Sequence, residues 1–315
     1  MKIIFLGTPE FSVEVLNDLY NSKHEIVAVV TQPDKPVGRS NKLTFPPVKE
    51  YAIKHNIPVF QFEKIRKKEN IECLKQLNAD IMITAAYGQI LTQEVLDITP
   101  YGVYNVHASL LPKYRGAAPI QWAIINGETV TGITIMKTNI GLDTGDILLQ
   151  EKVEIENTDT SETLFKKLSK ISGRVLLKAL DLLESGNYTL TPQNESEASH
   201  YSMLKKDHGD INFNKTAEEI DCFVRGVTPW PGAFTYIDDY IKVHSVSVFI
   251  PKNQEQLEKL NNATKMGQII FANTKEGLVL KAKEGAVRLN EVQPFGKKRM
   301  SDIAYLNGHK IKVSE

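Results

Sequence analysis

The sequence predicts an α/β protein in two parts: a Rossmann-like domain on a mostly parallel sheet, then a small β-barrel of OB-like type. Three observations carry this. Short apolar strands alternate with amphipathic helical stretches through the first part of the chain. Between 186 and 210 the periodicity fades into polar sequence such as Thr-Leu-Thr-Pro-Gln-Asn-Glu-Ser-Glu. Beyond it, short strand patterns follow one another with Gly, Asn and charged residues at the turns.

Residues 2–6 read as a strand and 10–20 as the helix after it, with a second strand at 25–31 and a second helix at 47–54. A helical stretch near 69–77 leads to a strand at 80–85. Such alternation favours parallel pairing with helices on both faces, and ligands of such sheets gather at the carboxyl ends of the strands. Residues 102–107 form the strand whose end matters most; 131–137 and 147–155 are later strands, and a long helix over 161–184 closes the domain. The expected division is 1–189 for this domain, 190–209 for a linker and 210–315 for the second domain. There Thr216-Ala217-Glu218-Glu219 is a capping box opening a helix that ends near Gly226, followed by strands at 232–237, 240–250, 267–272, 277–282 and 286–293.

A chain of 315 residues, 42% apolar and 24% charged, is long enough for two cores. Lys plus Arg and Asp plus Glu number 38 each, so nucleic-acid contact has to come from local patches. Cys73 and Cys222 match no metal or redox spacing, which points to a reducing compartment. The opening Met1-Lys2-Ile3-Ile4-Phe5-Leu6-Gly7 is too short for a signal peptide and no apolar stretch approaches membrane-spanning length, so the chain is expected to be cytoplasmic, with no membrane partner.

The chemistry concentrates at the end of the 102–107 strand. Alternate strand residues share a face, so Asn105 and His107 present an amide donor and an imidazole side by side, able to hold one oxygen. Asp143, in Gly141-Leu142-Asp143-Thr144-Gly145, would favour the imidazolium and accept a proton from an incoming nucleophile if it folds back to within a few ångströms of His107. Singly, an Asn or a His on a strand is more often a satisfied structural residue. Grouped in an apolar run, each would cost about 1 to 3 kcal/mol if left unpaired, which favours a ligand site. His107 and Asp143 have no third ligand at helix or hairpin spacing, and no metal is expected.

Gly7-Thr8-Pro9-Glu10-Phe11 stands where a dinucleotide fingerprint would, but Pro9 lacks an N–H and Glu10 brings negative charge, so it reads as a helix start. Lys35, Arg39, Lys42 and Lys49 lie in a long Pro- and Gly-opened loop, which charge alone leaves open between a solvated loop and a functional one. Lys297, Lys298 and Arg299 form a second basic cluster, and the run 64–68 reads as a solvated helix end. Trp230, between Pro229 and Pro231, suits either a domain junction or a stacking platform.

Together, the segment from Asn105 through Ser109-Leu110-Leu111-Pro112 to Pro119, and Gly141-Leu142-Asp143-Thr144-Gly145, resemble the signature of the folate-dependent formyltransferases. Gly7 to Phe11, Thr31 to Arg39, Ala86-Tyr87-Gly88-Gln89-Ile90-Leu91 and Thr228 to Ala233 look like the tRNA-directed members of that superfamily, and the likeness runs from Met1 to about Ser301 over both parts. The resemblance implies 10-formyltetrahydrofolate as donor and the α-amino group of methionine on initiator tRNA as acceptor. It implies catalytic roles for Asn105, His107 and Asp143, and folate contact at Ser109, Leu110, Leu111, Pro112 and around Ala86 to Leu91. It turns Lys35, Arg39, Lys42, Lys297, Lys298 and Arg299 into expected tRNA contacts, Arg39 foremost, in a chain expected to act as a monomer. The alternatives are a formyltransferase acting on a sugar-nucleotide amine, which would call for a compact anion pocket in place of the basic loop, and a tRNA-binding protein without catalysis, which would have no use for the Asn, His and Asp.

Overall fold

The computed structural model describes residues 1–37, 42–309 and 311. The chain forms two compact units, one of Met1–Pro119, Val130–Glu154 and Phe165–Tyr201, the other of Ile120–Thr129, Ile155–Leu164 and Ser202–Glu315. Through Tyr201 the elements are β1 (Lys2–Gly7), α1 (Glu10–Tyr20), β2 (Glu25–Thr31), β3 (Lys35–Val37), β4 (Lys42–Thr44), α2 (Pro47–Lys54), β5 (Val59–Gln61), α3 (Lys68–Lys75), β6 (Ile81–Ala85), α4 (Gln93–Leu96), β7 (Val103–His107), β8 (Arg115–Gly116), α5 (Pro119–Ile125), β9 (Val130–Lys137), β10 (Ile147–Glu154), α6 (Ser161–Ser185) and β11 (His200–Tyr201).

Among the described residues, seven strands of the first unit make one sheet in the order β10-β9-β7-β6-β1-β2-β5. Pairing is parallel from β5 to β7, while β9 and β10 are added antiparallel. Ile3, Ile4, Phe5 and Leu6 of β1 are all fully buried, as a central strand covered on both faces requires, and this is why it reads as a continuous apolar run. From β1 the chain builds outward through β2 to β5, then returns to the other side for β6 and β7. That reversal is the place where open α/β sheets leave a crevice. The pairing of Gly7 with Ala85 and of Thr84 with Asn105 brings three carboxyl ends together there.

Two expectations change. The loop expected to carry the first basic residues begins and ends as a hairpin, with Lys35 paired to Thr44 and Pro36 to Leu43. A two-stranded ribbon leaves one edge unpaired, so Pro36 need not donate there. The segment expected as a linker over 190–209 is pinned to the first unit as far as Tyr201. Thr191 exchanges backbone hydrogen bonds of 2.8 and 2.9 Å with Ile147, Ser199 O accepts from Arg115 N at 2.8 Å, and β11 pairs with β8. Its anchors are polar, so no hydrophobic period announced them.

The second unit contains α7 (Ala217–Gly226), β12 (Ala233–Ile237), β13 (Asp239–Val248), α8 (Gln254–Asn262), β14 (Ile269–Asn273), β15 (Gly277–Lys281), β16 (Ala286–Pro294), β17 (Met300–Ser301) and α9 (Asp302–Gly308). The expected capping box is present: Thr216 Oγ1 accepts from Glu219 N at 3.1 Å and Glu219 Oε2 from Thr216 N at 2.8 Å. The small barrel expected here takes the form of an antiparallel sheet ordered β12-β13-β16-β15-β14, with β17 on β16 and β13 bulged between Val243 and Val246. Ile220, Val224, Ile241, Leu280 and Leu289 belong to its core, and Trp122 and Ile125 of the 120–129 segment pack against it. Contacts therefore assign an early stretch of chain to the later unit, against a simple cut at 190–209. Helix α8 went unpredicted because Leu257 and Leu260 are its only large apolar residues; Asn253 Oδ1 caps it by accepting from Gln256 N at 2.9 Å.

Asp302 is 2% exposed and accepts from Leu278 N at 3.1 Å and from Arg288 Nε and Nη2 at 2.7 and 3.1 Å. Asp302→Ala is expected to lower the unfolding free energy by about 3 kcal/mol, since it strands a paired cation and a buried N–H. Urea denaturation followed by circular dichroism checks this, and a loss under about 1 kcal/mol would contradict it.

Candidate active site

The strand β7 delivers Asn105 and His107 to one face at the sheet's carboxyl edge. Asn105 Oδ1 accepts from Thr84 Oγ1 on the neighbouring strand at 2.9 Å, which leaves the Nδ2 end as the donor. His107 is buried, and its Nε2 lies 3.0 Å from the carbonyl oxygen of Tyr114. A carbonyl only accepts, so Nε2 carries a proton and Nδ1 is the nitrogen turned to the site. Nδ1 is 3.8 Å from Asp143 Oδ1, an ion-pair distance longer than a hydrogen bond. The other oxygen, Asp143 Oδ2, accepts from Gly116 N at 2.8 Å. The three side chains proposed from the sequence therefore lie around one edge of the sheet.

Asp143 itself has φ +54°, a left-handed conformation that a non-glycine residue keeps only where its surroundings hold it. Several bonds do so. Asn139 Oδ1 accepts from Gly141 N at 3.0 Å and from Thr144 Oγ1 at 2.8 Å. Gln193 Nε2 donates to the carbonyls of Asp143 and Gly145 at 2.8 and 2.7 Å, and a Cβ on Gly145 would strike the Lys137 carbonyl. Gln193 Oε1 in turn accepts from Arg115 Nε and Nη2 at 3.0 and 2.8 Å. Arg115 is 1% exposed and donates as well to both oxygens of Glu195 at 2.9 and 2.7 Å. The guanidinium holds the Glu195 carboxyl below its ordinary range.

Of the expected folate contacts, Ser109 and Leu111 turn inward. Ser109 is fully buried and its Oγ donates to Lys113 O at 2.7 Å, while Leu111 packs with no more than 3% exposure. Leu110 and Pro112 are half-buried and remain available. This loop is braced by Thr134, whose Oγ1 donates to Ser109 O at 2.6 Å and accepts from Leu111 N at 3.1 Å. In the second stretch, Tyr87 and Leu91 are buried, Ala86 and Gly88 are exposed, and Ile90 is 80% exposed at a sheet edge where an apolar side chain has no covering. Tyr87 O accepts from Thr8 Oγ1 at 3.0 Å and from Gln32 Nε2 at 3.2 Å, and Gln89 is taken up by Ile65 N at 2.9 Å and Phe62 O at 2.7 Å. Burial pushes the Tyr87 and Tyr104 phenols well above their usual range, so both stay neutral.

Of the expected tRNA contacts, Lys35 is exposed at the hairpin base, Lys42 lies in β4, and Arg39 falls outside the described residues. Lys49 is engaged elsewhere, 2.6 Å from Asp34 Oδ2 and 2.8 Å from Gln61 Oε1. Lys297, Lys298 and Arg299 are exposed between β16 and β17, where Arg299 pairs with Glu291. Trp230 is exposed. Among the described residues His24, Asp181 and Glu184 come together as a possible metal group, but Lys23 Nζ already sits 2.7 and 2.8 Å from the two carboxylates and the Met1 ammonium 3.1 Å from Glu184. Among the described residues, no helix is long and apolar enough to cross a membrane.

An amide, an imidazole and a carboxylate at the rim of a mostly parallel sheet are the kinds of group that acyl transfer at a small carbonyl calls for. The Formyl transferase profile matches residues 1–180, and the profile described as Formyl transferase, C-terminal domain, matches 203–310. The chain belongs to the formyl transferase family and is an enzyme of formyl transfer. It is 46% identical to the methionyl-tRNA formyltransferase of Acetivibrio thermocellus, over 100% of this chain and 99% of that protein. The methionyl-tRNA formyltransferase of Clostridioides difficile is 44% identical over 99% of this chain and 98% of its own length. Among solved structures, a sugar 3N-formyl transferase shares the fold with a TM-score of 0.67 at 21% identity, covering 95% of this chain and 99% of that one. The methionyl-tRNA formyltransferase from Clostridium thermocellum does so at 0.55 and 19%, covering 79% and 94%.

Thr84 and Gln193 entered no site reading from the sequence, while Arg115 and Gly116 stood within the motif from Asn105 to Pro119 without a role of their own. Thr84 had a signal, a polar residue in an otherwise apolar strand; Gln193 had none. Gly116→Ala is expected to cost about 2 kcal/mol or more, because the residue has φ +111° and its new Cβ would strike the Tyr201 carbonyl. Thermal unfolding checks it, and a variant as stable as the parent would contradict the packing described.

Proposed function

We propose that the chain transfers the formyl group of 10-formyltetrahydrofolate to the α-amino group of methionine esterified to initiator tRNA, giving N-formylmethionyl-tRNA for translation initiation. The observation that carries the reading is the convergence of Asn105, His107 and Asp143 at one sheet edge. The choice of acceptor is supported by relatives named methionyl-tRNA formyltransferase that match over the full chain at more than 40% identity. The sugar formyl transferase neighbour is alike in fold at half that identity, which leaves the sugar amine as the second reading.

In this mechanism the Asn105 Nδ2 and a protonated His107 Nδ1 donate to the formyl oxygen. The methionyl amine attacks the formyl carbon, the oxyanion forms between the two donors, and Asp143 accepts the proton that the amine sheds. The new C–N bond is kept when the old bond to the folate nitrogen breaks, and that nitrogen leaves as an amine after taking up a proton. Gly116 N holds one oxygen of Asp143 so that the other faces the site. The folate lies along the backbone from Ala86 to Leu91, with Ile90, Leu110 and Pro112 offering apolar contact. Lys35 and Lys42 of the β3–β4 hairpin, together with Arg39, and the turn with Lys297 and Lys298 meet tRNA phosphates, in a protein that works as a monomer in the cytoplasm.

Purified protein given 10-formyltetrahydrofolate with charged initiator or elongator methionyl-tRNA is expected to formylate the initiator form; formyl found only on a small sugar amine would sink the reading. In single-turnover assays at neutral pH, Asp143→Asn is expected to lose about 10²-fold or more in rate and Asn105→Ala about 10² to 10³. A near-normal Asp143→Asn rate would exclude the base assignment. The KM for tRNA is expected to rise steeply with salt. A KM indifferent to salt would remove the two basic patches from the interface.

A further inference from the structure

The side chain of Gln193 is not among the groups that face the reacting centre, yet it makes contact with the backbone on which Asp143 stands. Its amide nitrogen has two protons, and both are used, on Asp143 O at 2.8 Å and on Gly145 O at 2.7 Å. Its amide oxygen has two acceptor positions, and both are used, by Arg115 Nε at 3.0 Å and Nη2 at 2.8 Å. Two carbonyls from either side of Thr144 converge on one nitrogen, which sets the turn between them. Because Asp143 has a positive φ, that turn decides where its carboxylate points.

We propose that Gln193 is a positioning residue for formyl transfer: clamped by the Arg115 guanidinium, it holds the backbone of Asp143 and Gly145 and so aims the carboxylate at the incoming amine. The inference rests on the role given above to Asp143. Gln193 is bound to the loop through protons that a carboxylate does not have. Arg115 is buried and carries a charge that Glu195 neutralises, so the clamp has a fixed base. Glu195 belongs to the same segment as Gln193, and Ser199 a few residues on accepts from Tyr114 N through its Oγ at 2.9 Å. The segment 193–199 is therefore a strap bonded both to the loop bearing Asp143 and to the turn carrying Arg115 and Gly116.

Gln193→Glu separates this from a purely structural role. The variant keeps an acceptor for Arg115 but turns an oxygen toward two carbonyl oxygens, which pushes the loop away while Arg115 stays neutralised. Gln193→Met keeps the volume with neither donor nor acceptor, and serves if the first variant does not fold. In the full-length protein, kcat is expected to fall about 10- to 100-fold while both KM values stay within about threefold, as for a misaimed reacting group. The double variant Asp143→Asn with Gln193→Glu is expected to be no slower than Asp143→Asn alone. A folded Gln193 variant with unchanged kcat, beside a slow Asp143→Asn, overturns this proposal and leaves the catalytic reading standing. Losses that multiply in the double variant overturn it as well, because Gln193 then acts elsewhere. An Asp143→Asn enzyme at full rate removes the catalytic reading, and the proposal with it.

Discussion

A guanidinium cut off from water has to find its hydrogen bonds inside the protein, and Arg115, 1% exposed, makes four of them to Gln193 and Glu195. The backbone at Arg115 binds Ser199 on one side, and the next residue, Gly116, gives its N–H to Asp143 on the other. One buried cation thus ties together the turn after β7, the loop after β9 and a polar strap that follows α6. Their arrangement depends on charge and hydrogen-bond satisfaction, which demand definite partners where apolar packing tolerates several.

The sheet contributes the other half of the site by register alone. Thr84 stands beside Asn105 because β6 and β7 pair in parallel, and its hydroxyl takes the oxygen end of the Asn105 amide. The Tyr114 carbonyl fixes one nitrogen of His107 as a donor and leaves the other to face Asp143. In the proposed mechanism, donors held in this way need no reorganisation when charge develops on an oxygen between them, which is where electrostatic stabilisation is most effective.

The strands and helices of the first unit follow their sequence periods closely: β1, β2, α1 and α6 fall within a residue or two of the expected bounds. The same holds for α7, where the capping box is a local signal read within four residues. The missed elements had weak local patterns. The β3–β4 hairpin has three-residue strands containing a proline, α8 has few apolar residues, and β11 is two residues long. The hairpin pairs within ten residues but in strands too short for a period to show, whereas α8 packs on and β11 pairs with chain distant in sequence. Ser109 and Leu111 are instructive in the other direction: they belong to a motif of the site, yet they face inward and serve by shaping the loop.

The sequence by itself determined the fold class, the strand that carries Asn105 and His107, and the need for a partner in the loop at Asp143, because side-chain period and glycine placement are local properties. Tertiary structure alone decided which nitrogen of His107 faces Asp143, that Gly116 and Gln193 hold the Asp143 loop, and that residues 120–129 belong to the later unit. These are bonds between groups far apart along the chain, and their distances follow from how the whole sheet and its loops close in space.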